Sequence, residues 1–186
     1  MKLNFQPLTP ERWHELETLF GERGACGGCW CMWWRLKKSE FEKNKGSGNK
    51  RAFKKLVGSG AVPGLLAYAG DEPIGWCAVE TRGRYARALS SRASKDFANP
   101  SDWLVTCFFI RKDFRKRGVS IALLKAACKH VVSHGGSVVE GQPGEPRASM
   151  PDAFVWRGLV SAFRAAGFSE AARPSSSRVI MRWKKG

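Results

Sequence analysis

The sequence predicts a chain of mixed class, an α/β or α+β sheet with helices on both faces, and three stretches carry that prediction. The first runs from Trp103 to Gly136. It opens with WLVTCFFI, short, almost wholly apolar and rich in aromatic and β-branched residues, which reads as a strand buried on both faces. A basic turn, RKDFRKRGVS, leads into a helix whose apolar positions Ile121, Leu124, Cys128 and Val131 recur every three or four residues, and Gly135-Gly136 ends it. The second stretch is a β-hairpin, with strands Gly64–Ala69 and Ile74–Val79 joined through Gly70-Asp71-Glu72-Pro73. The third is a helix over Ala153–Ala165, with Phe154, Leu159 and Phe163 apolar, then Gly167-Phe168 and a hairpin ending in RVIMRW.

The remaining elements fill in around these. Lys2–Leu8 reads as a first strand, followed by a helix start with Thr9 as N-cap, Pro10 at the first helical position and Glu11 favouring the dipole. Trp13, Leu16, Leu19 and Phe20 form that helix's buried stripe, and Gly21 and Gly24 break it. Ser39–Asn49 is polar, charged and glycine-containing and reads as a mobile loop, with a short helix resuming over Arg51–Val57. Arg82–Pro100 is a basic connection, Ser137–Glu140 a short strand and Gly141–Asp152 a proline-glycine loop. No period repeats along the 186 residues, and the length suits one domain over 1–186.

Composition narrows the classes. Hydrophobic residues at 43% and charged residues at 26% are globular values. The start, MKLNFQPLTPERW, has no apolar signal core, and no apolar run reaches membrane-spanning length, so a soluble, cytoplasmic protein without a membrane partner is expected. A net charge of +16 attracts polyanions. It is concentrated in Arg35–Lys55 and again in Arg82, Arg84, Arg87, Arg92 and Lys95. Solvated faces are the plain reading of these runs. A nucleic-acid surface is the alternative but is not favoured, because no RRM, KH or zinc-finger pattern accompanies them.

Cys26-Gly-Gly-Cys29-Trp30-Cys31-Met32-Trp33-Trp34-Arg35 is the oddest segment. Three close thiols invite a metal, but His14, His130 and His134 form no paired motif to complete a site, so no metal is expected. A redox pair at C-x-x-C lacks a thioredoxin-like βαβ context. The preferred reading is an aromatic wall of Trp30, Trp33 and Trp34 over a substrate cleft or the core. The six cysteines are expected to be reduced thiols, several of them in core elements.

The basic turn suits a phosphate. A helix start offers unpaired N–H groups, Gly118 permits close approach of the backbone, and Arg115, Lys116 and Arg117 add cationic reach. No Walker loop or G-x-G-x-x-G is present. Arg115-Lys116-Arg117-Gly118-Val119-Ser120 resembles the R/Q-x-x-G-x-G/A signature of the GNAT superfamily of N-acetyltransferases, with Ser120 in place of the usual glycine or alanine. The apolar strand before it and the leucine-containing helix after it are also similar to that family, as is F-x-x-A-G-F at Phe163–Phe168, and C-W-C-M-W-W-R looks like a run in an uncharacterised subgroup.

The resemblance implies a mixed, mostly antiparallel sheet over residues 3 to 183 and acetyl-CoA as acyl donor. Residues 115–120 would hold its pyrophosphate and Phe108, Phe109 and Ile110 would run beside its thioester arm. It implies direct transfer in a ternary complex to a primary amine on a small molecule or peptide, by a monomer or homodimer. Glu140, ending the strand beside the central one, is the preferred general base and Glu80 the second choice. Asp152 is a further acid that could line the pocket. The family's usual acid, a tyrosine, is replaced by Phe163, leaving Tyr85 as a weak candidate. That departure keeps open a non-catalytic module that binds CoA or nucleic acid.

Overall fold

In the computed structural model, residues 2–89, 99–145, 155–176 and 178–186 are described. Seven strands are found among them: β1 (Leu3–Pro7), β2 (Gly64–Ala69), β3 (Glu72–Thr81), β4 (Trp103–Ile110), β5 (Val138–Gly141), β6 (Ser169–Ser175) and β7 (Arg178–Lys184). They form one sheet in the order β1-β2-β3-β4-β5-β7-β6. Neighbours are antiparallel except β4 and β5, which run parallel. The helices are α1 (Trp13–Phe20), α2 (Lys38–Lys43), α3 (Ser47–Gly58), α4 (Ala86–Leu89), α5 (Val119–Ser133) and α6 (Val160–Ala165). Among the described residues no helix is long and apolar enough to cross a membrane.

Alternation along the strands builds a core on each face of the sheet. Leu65 and Ala67 of β2 with Cys77 and Val79 of β3 meet Leu123, Leu124, Ala127 and Val131 of α5 on one side. The intervening Leu66, Tyr68, Trp76 and Ala78 meet Leu16, Leu19 and Phe20 of α1 and Phe53 of α3 on the other. The single strand pair most responsible for the site is β4 with β5. Their ladder spans only Trp103↔Val139 to Val105↔Gly141. Beside its end, the pairing of β4 with β3 shifts from Val79↔Val105 to Ala78↔Cys107, so Thr106 is an extra residue in β4.

Several expectations need correction. Ser39–Asn49 is largely helical, split between α2 and the start of α3. Phe41 is the cause: it is buried and set edge-on against Trp33 at 5.1 Å, while buried Asn49 donates to the Gly28 carbonyl at 3.2 Å. The helix read over Ala153–Ala165 begins only at Val160, because Gly158 takes φ +81 and Leu159 pairs as an isolated bridge with Gly144. Its residues 153 and 154 lie outside the described residues. Thr9 precedes a 3-10 turn and makes no capping bond to the helix N–H groups; its hydroxyl accepts instead from Arg12 at 3.3 Å.

Candidate active site

The basic turn is held by its own side chains. Arg111 pairs with Glu72 on the β2–β3 hairpin and with Asp113 at 2.7 Å, and Arg115 Nε donates to the Ile110 carbonyl at 3.0 Å. Lys116 at φ +59 and Gly118 at φ +77 then turn the chain left-handedly into α5. A β-carbon at Gly118 would meet nothing within 4 Å, so the glycine is required by conformation and opens onto free space. The 15-residue α5 has no side-chain cap and no acidic residue in its first turn. Its leading N–H groups and positive dipole end therefore suit an external anion.

Beside this turn lies a cavity of about 700 Å³. One wall is Cys107–Ile110 of β4, where the strand has parted from β5. There Phe108 N–H donates to the Trp156 carbonyl at 2.6 Å, and Trp156, Gly158 and Leu159 form part of the lining. The facing wall is the segment from Ala25 to Trp34 with Phe41, Glu42 and Lys45. Arg115, Lys116 and Ser120 close the end nearest α5. Four non-glycine residues among those described have positive φ, namely Ala25, Trp30, Cys31 and Lys116, and all but Trp30 line this cavity. Such strained backbone costs about 1–3 kcal/mol per residue and gathers where geometry serves function.

The structure brings together Phe108, Phe109, Ile110, Arg115, Lys116 and Ser120 as lining, with Arg117, Gly118 and Val119 flanking them in the turn. Trp33 and Trp34 are part of the cavity lining. Trp30 is not. It is 3% exposed and stacks on Trp13 at 6.0 Å, beside Phe20, in the α1 core. Its placement depends on Gly24, where a β-carbon would come within 2.1 Å of the Trp30 indole nitrogen.

Neither carboxylate expected as base reaches the cavity. Glu140 is fully buried and clasped by Arg82 on one oxygen and by Arg182 Nε at 2.7 Å on the other. Glu80 accepts from Arg35 at 2.6 Å and lies 3.6 Å from Arg84. Both carboxylates are committed to neutralising buried guanidinium groups, a structural role that the strand-end position alone cannot reveal. Tyr85 is equally enclosed; burial pushes its phenol above the usual tyrosine range, opposed by Arg35, which sits over its ring at 4.6 Å. Phe163 is buried edge-on against Phe108 and Phe168. Asp152 lies outside the described residues.

Sequence reasoning missed part of the lining. Glu42, the single carboxylate on it among the described residues, sits at the rim on α2. Trp156 lies 6.4 Å from Trp34, ring to ring. The Trp34 indole N–H is buried with no partner among the described residues. Four of the six cysteines, Cys26, Cys29, Cys31 and Cys107, also line the cavity. The density of thiols at residues 26–31 was the available signal for the first three.

The family described as Acetyltransferase (GNAT) matches residues 30–147. The PaiA N-acetyltransferase from Thermoplasma acidophilum, solved with coenzyme A, superposes with TM-score 0.55 at 14% identity over 100% of both chains. An acetyltransferase of the GNAT family from Bacillus cereus gives 0.53 at 12% identity, covering 100% of this chain and 99% of its own. AAC(6')-Ib, solved with ribostamycin and coenzyme A, gives 0.60 at 13% identity, covering 100% of this chain and 94% of its own. No curated protein sequence matches this chain.

Proposed function

This chain belongs to the GNAT acetyltransferase family, and from that premise we propose that it moves an acetyl group from acetyl-CoA directly to a primary amine held in the same cavity. The observation that carries the reading is the uncapped, acid-free start of α5 behind Gly118, opening beside a cavity that follows the parted end of β4. That start fits a pyrophosphate: leading N–H groups of α5 donate to its oxygens and Lys116 adds a charge-assisted bond. Acetyl-CoA would supply an activated thioester. The protein's part is to exclude water with Phe108, Phe109 and Leu159, to orient the acyl arm along β4, and to hold the acceptor against Trp33, Trp34 and Trp156.

The lining also bears on the acceptor. It is dominated by aromatic rings and thiols, with Glu42 alone to attract an ammonium among the described residues. A compact amine with an apolar or aromatic body fits that surface better than a polycation. Glu42 at the rim draws in the protonated amine, and the proton passes to water as the amine enters.

Acetyl-CoA binding by calorimetry, on wild type and on Gly118→Trp, tests the donor site. We expect binding by wild type and its loss in a variant whose circular dichroism is unchanged. A wild-type protein that binds no acetyl-CoA would overturn the reading. Turnover is then read as thiol release across a panel of amines graded from aromatic to polycationic.

A further inference from the structure

Direct acetyl transfer leaves one constellation in the cavity unused. Cys31, in the segment before α2, and Cys107, next to the extra residue of β4, come from facing walls of the cavity and pack into the same cluster around Trp76. The Trp76 indole N–H donates to the Cys31 sulfur at 3.0 Å. To bring the sulfur there, the chain adopts left-handed backbone at both Trp30, φ +41, and Cys31, φ +52. Cysteines that merely fill space show none of this: Cys77 and Cys128 are buried in the opposite core.

We propose that Cys31 and Cys107 are a redox modification site, oxidised by a peroxide to a disulfide that pins the Ala25–Trp34 segment onto β4 and narrows the cavity.

The chemistry follows from the donors. The neighbouring Cys107 thiol, the Trp76 N–H and the nearby Arg35 charge, acting against burial, hold the Cys31 thiol below the usual range. Cys29, by contrast, is pushed up to about 11 by burial and by Cys31. Cys31 is therefore the attacking thiolate. Its sulfur attacks one peroxide oxygen, the O–O bond breaks, and with one proton the other oxygen leaves as water. The sulfenic acid on Cys31 is then attacked by the Cys107 sulfur; the S–S bond forms, the S–O bond breaks, and the second oxygen leaves as water with the Cys107 proton. Each sulfur gives up one electron and the peroxide takes both. A dithiol reductant reverses the change by exchange.

Reduced protein is treated with hydrogen peroxide under native conditions, its free thiols are alkylated, and it is digested without reductant. The expected product is a peptide linking Cys31 to Cys107, with an intact mass lower by two hydrogens and full reversal by dithiothreitol. Cys107→Ser should lose the link and Cys26→Ser should keep it. A link through Cys26 or Cys29, a sulfinic acid on Cys31 without a link, or no modification of either residue in wild type would each overturn the proposal. In calorimetry the linked protein should bind acetyl-CoA at least about tenfold more weakly, with dithiothreitol restoring affinity; unchanged affinity in linked protein would overturn the narrowing. That second measurement alone rests on the donor reading above. If reduced protein binds no acetyl-CoA, the donor reading fails while the peptide map still decides the thiol pair.

Discussion

The two walls of the cavity are made of different chemistry. The wall of β4, basic turn and α5 works through its backbone: N–H groups at a helix start, a glycine at φ +77 and a strand end freed from its neighbour. The facing wall, from Ala25 to Lys45, works through side chains particular to this chain: Trp33, Trp34, Phe41, Glu42 and the thiols. Under the proposed function, the first wall would take the acetyl donor and the second would choose the acceptor. A general site and a particular one meet along a single strand.

Scaffold and site are most easily confused at Glu140. Glu140→Ala should cost about 3–5 kcal/mol, because it strands the buried Arg82 without a counter-charge. Urea unfolding would measure that loss, while the folded fraction should bind acetyl-CoA with wild-type affinity. A folded Glu140→Ala protein that binds normally but shows no turnover would return Glu140 to the chemistry.

Next in size is a contrast between neighbours. Trp30→Ala should cost about 3–5 kcal/mol, as expected for a buried indole removed from a core. Trp33→Ala should cost about 1 kcal/mol, the scale of one ring-on-ring contact, and should instead raise KM for the acceptor. Equal stability losses would show that the Ala25–Trp34 segment is scaffold throughout.

On the donor wall, Lys116→Gly should move two quantities in opposite directions. It relieves a left-handed lysine, adding up to about 1 kcal/mol of stability. It also removes a charged partner worth about 1.5–3 kcal/mol, weakening acetyl-CoA binding about tenfold or more, and less so at high salt. Loss of stability with unchanged affinity would contradict the anion-binding role of the turn.

The smallest effect lies far from the site. Burial, with His134 beside it, lowers His130 to about 4, so the folded state resists protonating it. The unfolded chain binds that proton near pH 6.5. Stability from this group is therefore present above about pH 6.5 and is lost as pH falls towards 4. Thermal unfolding of His130→Gln should show a flatter slope in that window than wild type.

What could be read from the sequence follows the same division. Trp103–Ile110 and the turn at Gly118 were legible because strand composition, helical period and a glycine at the junction are local signals. Phe41 was not, since one apolar residue among the six of α2 gives no period to read. The Arg35–Glu80, Arg82–Glu140 and Arg182–Glu140 pairs join positions 45, 58 and 42 residues apart, and no local pattern announces such a match. Two basic runs that looked like solvated surface consequently split. Arg35 and Arg82 turn inward, and Arg87 stacks at 3.8 Å on Trp33, while Lys37, Lys38 and Lys43 face water.

The clasp on Glu140 also has a consequence in time. Arg82 precedes the carboxylate by 58 positions and Arg182 follows it by 42, so a chain emerging from the ribosome makes the three charges far apart in order. Until β7 arrives, β5 has a partner on one side only and Glu140 holds one guanidinium of its two. Contacts of such long sequence separation form slowly, because the loop entropy is lost before any contact rewards it. Because β7 is the last of the described strands to be made, the sheet beyond β4 cannot be completed until residue 182 has emerged, and a chain paused before that point would leave β5 with an unpaired edge.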